Sequence, residues 1–125
     1  MFSSASGNGE IHIDTLNFPK CENCKSMFYE TQALLDVKRL DLPAATDISD
    51  IFYDCRQLKM VGVIEARNCR SADLAFYNTP SLKSLLVCNI CGNASYNNIF
   101  MGSALFKIYG NGDALMARNR LLFGR

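Results

Sequence analysis

The chain has 125 residues, 49% of them apolar and 20% charged, with a formal net charge of +1 at pH 7, the usage of one ordinary globular domain. The charge is spread without a basic run, so neither a nucleic-acid groove nor an anionic membrane surface has electrostatic support. No apolar run reaches the roughly 18 residues of a spanning helix, so membrane insertion is not expected. The opening Met1-Phe2-Ser3-Ser4-Ala5-Ser6-Gly7 has neither the basic start nor the apolar centre of a secretory signal. A cytoplasmic location as synthesised is the expectation, with a virion or cell surface following only if the chain belongs to a particle or is cut from a longer product.

In chain order, residues 1–10 are small and polar and read as a flexible lead, and Ile11 and Ile13 begin a first strand. From there one interval governs the chain. Phe28, Phe52, Phe76 and Phe100 stand 24 residues apart. The same frame aligns Leu34, Leu58, Leu82 and Phe106, then Val37, Val61, Leu85 and Tyr109, and also Leu16, Leu40, Ile64 and Cys88. A repeat of this length with one apolar-alternating stretch per copy predicts a solenoid over residues 11–109: four 24-residue coils of α/β class, each giving one short strand to a parallel sheet.

The second copy shows how a coil is expected to fold. Val37-Lys38-Arg39-Leu40-Asp41-Leu42 alternates at period two, placing Leu40 and Leu42 on one face and Arg39 and Asp41 on the other. Pro43 has no amide hydrogen and ends the ladder. Thr46, Asp47 and Ser49 offer oxygens to the free amides of a helical turn, in which Ile48, Ile51 and Phe52 face inward at i, i+3 and i+4. Cys55 and its counterparts Thr31, Thr79 and Ser103 are small and weakly polar, as suits a turn where a side chain must meet backbone groups. Leu58 then enters the core.

Six cysteines in a chain without an export signal are expected to be free thiols. Cys21-x-x-Cys24 and Cys88-x-x-Cys91 look like halves of a zinc site, but they fall in the first and fourth coils. Coils stacked at about the 4.8 Å strand spacing put the pairs roughly 15 Å apart, too far for four zinc–sulfur bonds of about 2.3 Å. Small apolar packing explains most of them, and no metal or cofactor is expected. After Gly110-Asn111-Gly112, Asp113 is expected to start a helix over residues 110–125 that caps the last coil. Either Ala114, Ala117 and Leu121 or Leu115 and Leu122 would face inward, with Arg118, Arg120 and Arg125 outside.

The stretch "LDLPAATDISDIFYDCRQLKMV" resembles the leucine-rich repeat of the BspA-like, or Treponema-type, class, and the likeness covers roughly residues 11–109. Leu40, Leu42, Pro43, Phe52, Cys55 and Leu58 fill that repeat's places in order, as do Leu16, Phe18, Pro19, Phe28, Thr31 and Leu34. Later copies depart, with Arg67 and Cys91 in the proline place and Ala66 in that of the second strand leucine. The resemblance implies a curved solenoid with parallel strands on the concave side and helical turns on the convex side. It also implies a surface, adhesive or recognition role in bacteria, their phages or some protists.

The candidate ligand-binding patch follows from the outward strand positions: Thr15 and Asn17, Arg39 and Asp41, Val63 and Glu65, and Val87 and Asn89. A protein or glycan could lie across these two columns. No enzyme is expected, because the only histidine, His12, lies in the first strand's approach without a nucleophile partner, and Arg39 balances the stacked carboxylates Asp41 and Glu65. Two roles remain: a recognition module, or an assembly piece that self-associates or docks into a larger particle through its ends. Tyr29, Tyr53 and Tyr77, following the Phe column, suit either.

Overall fold

A computed structural model describes residues 9–123, so most of the expected lead lies outside the described residues. Strands β1 (Ile11–Asn17), β2 (Leu34–Asp41), β3 (Met60–Ala66) and β4 (Ser84–Ile90) form one parallel sheet in the order β1-β2-β3-β4. Beyond an irregularity between Ile11 and His12, where Ile11 pairs with Leu34, the register is the sequence repeat itself. Leu40 pairs with Leu16 on one side and Ile64 on the other, and Ile64 pairs with Cys88. The chain is a β-solenoid of stacked coils.

Strict alternation holds for only part of each strand. Val37 and Leu40 both point into the core while Lys38 and Arg39 between them are exposed, and Lys38 takes no place in the pairing register. The same step recurs between Ile13 and Leu16, Val61 and Ile64, and Leu85 and Cys88. An extra residue at one level of every coil shifts no neighbour relative to the next, so the ladder stays continuous around it.

The expected helical turns opposite the strands are not helices. Each coil instead makes successive three-residue-apart turns, such as Tyr53 N–H to Asp50 C=O at 3.1 Å and Cys55 N–H to Phe52 C=O at 3.2 Å. The remaining amides turn along the stack: Ile48, Asp50, Phe52 and Asp54 donate to the carbonyls of Ser71, Asp73, Ala75 and Tyr77 at 2.8–3.0 Å. Cys24, Ser26, Phe28 and Glu30 reach the second coil in the same way, and Ala72, Leu74, Phe76 and Asn78 reach the fourth. An amide bonded to the next coil cannot also close an α-helical ring, so this arc is a second ladder facing the sheet. Inward spacing survives: Ile48, Ile51 and Phe52 are all buried.

Two arc positions per coil have positive φ. They are Ser26, Asp50, Leu74 and Asn98 at 52–60°, and Glu30, Asp54, Asn78 and Gly102 at 53–76°. Turns with a left-handed third residue need this, and Asp and Asn tolerate it better than most side chains. The Cys55 column behaves as its composition suggests. The Cys55 thiol donates to Phe28 C=O at 2.9 Å and the Thr79 hydroxyl to Phe76 C=O at 2.8 Å.

Between the two ladders runs the core. Phe28, Phe52, Phe76 and Phe100 stack with ring centroids 5.2, 5.5 and 5.5 Å apart. Outside them Tyr29, Tyr53 and Tyr77 form a half-exposed stack at 4.7 and 4.6 Å.

The repeat ends inside the fourth coil. Phe106, aligned by the frame with three buried leucines, is 53% exposed, and Leu105 is buried beside it instead. The chain turns into a short helix α1 (Phe106–Tyr109), and Tyr109 lies against Phe100 at 5.7 Å. Helix α2 (Asp113–Phe123) then packs on β4. Leu115, Met116 and Asn119 form its buried side, whereas Ala114, Ala117 and Leu121 are exposed; the side chain of Leu122 and all of Arg125 lie outside the described residues. Arg118 is exposed, as expected of the outer side, and Arg120 is half-buried, but both reach back onto the last coil. Arg118 donates to Leu86 C=O, Asn119 to Cys88 C=O at 2.6 Å and Arg120 to Gly92 C=O at 2.7 Å. These side chains take up carbonyls of the last coil that a fifth coil would otherwise meet.

Candidate functional site

The register brings the eight expected patch residues into two columns: Thr15, Arg39, Val63 and Val87 in one, and Asn17, Asp41, Glu65 and Asn89 in the other. Thr15, Asn17 and Arg39 are exposed and Asp41, Val63, Glu65 and Val87 half-buried. Asn89 differs. It is 2% exposed, and its amide donates to Glu65 Oε1 at 2.5 Å. Its place on the outer side of the strand is closed by the C-terminal segment, since Asn89 lines a small cavity together with Met116, Asn119 and Arg120.

The polar groups of this face are tied to each other. Arg39 chelates Asp41 with Nε at 3.0 Å from one carboxylate oxygen and Nη2 at 2.9 Å from the other, a bidentate pair that fixes both planes. The same contact raises the Arg39 pKa from its ordinary value. Glu65 accepts from Asn89 and lies 3.4 Å from an Arg67 nitrogen. Toward β4 the face turns apolar, with Val63 and Val87 half-buried and Leu86 57% exposed. A charged, rigid end grades into an apolar one.

The sequence reading missed two further columns beside the patch: His12, Asp36, Met60 and Ser84, and Asp14, Lys38 and Leu86, the second interrupted at the buried Gly62. His12 Nδ1 meets Asp36 Oδ2 at 2.6 Å and Nε2 meets Glu10 at 3.4 Å, and these bonds raise the His12 pKa above 6.5. Lys38 Nζ lies 3.5 Å from Asp14. The signal was present in the frame, because inward residues three apart, as Val37 and Leu40 are, leave two outward residues between them and not one.

The cysteines do not assemble. All six are free, with Cys24, Cys55, Cys69 and Cys88 buried. Burial is the main force raising the thiol of Cys69 to about 11 and those of Cys24, Cys55 and Cys88 to about 12. A thiol so far above neutral pH carries almost no thiolate and is a poor nucleophile. Cys21 and Cys24 bring their sulfurs to 2.9 Å, but Cys88 and Cys91 lie at the opposite end of the stack. Among the described residues no group of three or more His, Cys, Asp or Glu side chains is placed to hold a metal ion. No described helix is long and apolar enough to cross a membrane. Comparison of the chain with protein-family models, curated proteins and solved structures finds no match in any of the three.

Proposed function

We propose that the chain is a non-enzymatic recognition module, of the BspA-like leucine-rich-repeat kind, that binds a protein or glycan through the outer face of its sheet, as part of a bacterial surface or phage particle. The leucine-rich-repeat reading is supported by Leu40, Leu42, Phe52, Cys55 and Leu58, which the repeat places in one core and which are all fully buried. One observation carries the binding role: side chains of known register form a continuous face whose charged groups are held rigid by pairing, so a ligand meets them with little ordering cost. Asn89 takes a supporting part in this reading, positioning Glu65.

A self-associating assembly piece is the second reading. It is favoured by the open amide edge of the last arc and opposed by α2, which occupies the matching edge of β4. Capture from the native source followed by Arg39→Ala and Glu65→Gln tests the first reading: binding should fall about tenfold or more for each, with the melting temperature almost unchanged. Binding that survives both substitutions removes the sheet face from consideration. A concentration-dependent oligomer by light scattering over the micromolar range would turn the choice to the second reading.

A further inference from the structure

A second cavity lies away from the sheet face, where the last arc meets the start of α2. It has a volume of about 370 Å³ and is lined by Ala94, Ser95, Tyr96, Asn97, Asn98, Asn111 and Asp113. One coil earlier the equivalent amides, of Ala72 and Leu74, donate along the stack to Ser95 C=O at 2.8 Å and Asn97 C=O at 3.0 Å. Tyr96 and Asn98 have no further coil to reach, and their N–H groups have no partner among the described residues. The Asn98 side-chain amide and the second carboxylate oxygen of Asp113 are likewise unengaged there. Other parts of the wall are fixed. Asp73 from the coil below accepts from the Ser95 hydroxyl at 2.5 Å and from Asn97 N–H at 2.7 Å. The Tyr96 hydroxyl donates to Asp113 at 2.6 Å, and Asn111 Oδ1 accepts from Asp113 N–H at 3.3 Å. Gly112, at φ +109°, lets the helix start come this close, because a Cβ there would sit 2.8 Å from Ile99 Cγ2.

We propose that this cavity binds a neutral sugar. Two alternate backbone donors, one free amide that both gives and accepts, and one free carboxylate oxygen face a space of small-ligand size. A ring of hydroxyls matches such a mixture, since each hydroxyl is donor and acceptor at once. The half-buried Tyr96 supplies an aromatic wall. The Asp113 carboxylate disfavours an anion set directly against it, and the Arg120 guanidinium, which also bonds the Tyr96 hydroxyl, has its own carbonyl partner at Gly92. An added peptide strand fits less well. It would need the arc edge to stay open beyond Asn98, where Phe100 is wholly buried beside Tyr109 and Gly112. The site is independent of the sheet-face reading and stands if that reading fails.

The test is amide NMR on the ¹⁵N-labelled chain against glucose, galactose, mannose, N-acetylglucosamine and lactose, with sialyllactose and an extended tetrapeptide as the contrasting probes. At least one neutral sugar should shift the Tyr96 and Asn98 amides at millimolar concentration. Asn98→Gly keeps the left-handed backbone at φ 52° and should weaken that binding by about tenfold. Asp113→Asn, which leaves the charge out and the shape in, should do the same. No response to any neutral sugar, a response to sialyllactose or the tetrapeptide alone, or unchanged affinity in Asn98→Gly would overturn the proposal.

Discussion

Single residues carry constraints that the repeat frame does not show. Gly62 is the clearest, because a Cβ there would collide with the backbone oxygen of Lys38. Its counterparts Asp14, Lys38 and Leu86 bear side chains, so the close approach is local to β3. Gly62→Ala must push two strands apart and should destabilise the fold by about 1–3 kcal/mol, measured by urea denaturation. His12 supplies a pH test. Its pKa is raised, chiefly by the hydrogen bond to Asp36 and then by Glu10. The pairing therefore contributes fully below the unfolded value of 6.5 and is lost as pH rises through the higher folded value. An NMR titration of the His12 ring should give a midpoint above 6.5, and Asp36→Asn should lower it. A wild-type midpoint at or below 6.5 would contradict the contact.

At the scale of elements, the 24-residue interval foretells the stacked strands and the Phe column, because every coil must bury the same face against the next. What it conceals is the arc. Ile48, Ile51 and Phe52 have helical spacing, but three-residue turns put the same residues inward, and apolar spacing alone does not reveal where the amides go. Asp50, Asp54 and Asn78, recurring at places that require positive φ, were the available hint. For the candidate patch, the columns were legible from the register, whereas the burial of Asn89 was not, since it depends on α2 folding back from another part of the chain. Reading the frame through to Phe106 likewise failed, although Tyr109 still packs on the core. The fourth coil leaves the sheet there, and Tyr109 closes over Phe100. The ring stack makes a quantitative prediction: Phe52→Ala, with Phe28 and Phe76 on its two faces, should cost about 3–5 kcal/mol. Because Tyr109 covers Phe100, the same change there should cost a similar amount, where a frame that simply ran out would make it cheaper. Denaturant midpoints for the two variants decide between these.

For the molecule as a whole, the stack has two hydrogen-bonded walls, a sheet and an arc, joined by one column of rings. Its C-terminal end is closed on the sheet side by Arg118, Asn119 and Arg120 and left open on the arc side at Tyr96 and Asn98. That asymmetry separates the two proposals: the sheet's outer face for a larger partner, and the arc's end for a small ligand. Residue-resolved amide hydrogen exchange tests the two-walled stack most directly, since protection reports which amides are bonded within the folded core. The account predicts strong protection at alternate arc residues, Ile48, Asp50, Phe52 and Asp54 and again Ala72, Leu74, Phe76 and Asn78, with Tyr96 and Asn98 exchanging fast. Uniform fast exchange through the arcs, or protection at Tyr96 and Asn98 equal to that at Ala72 and Leu74, would contradict it.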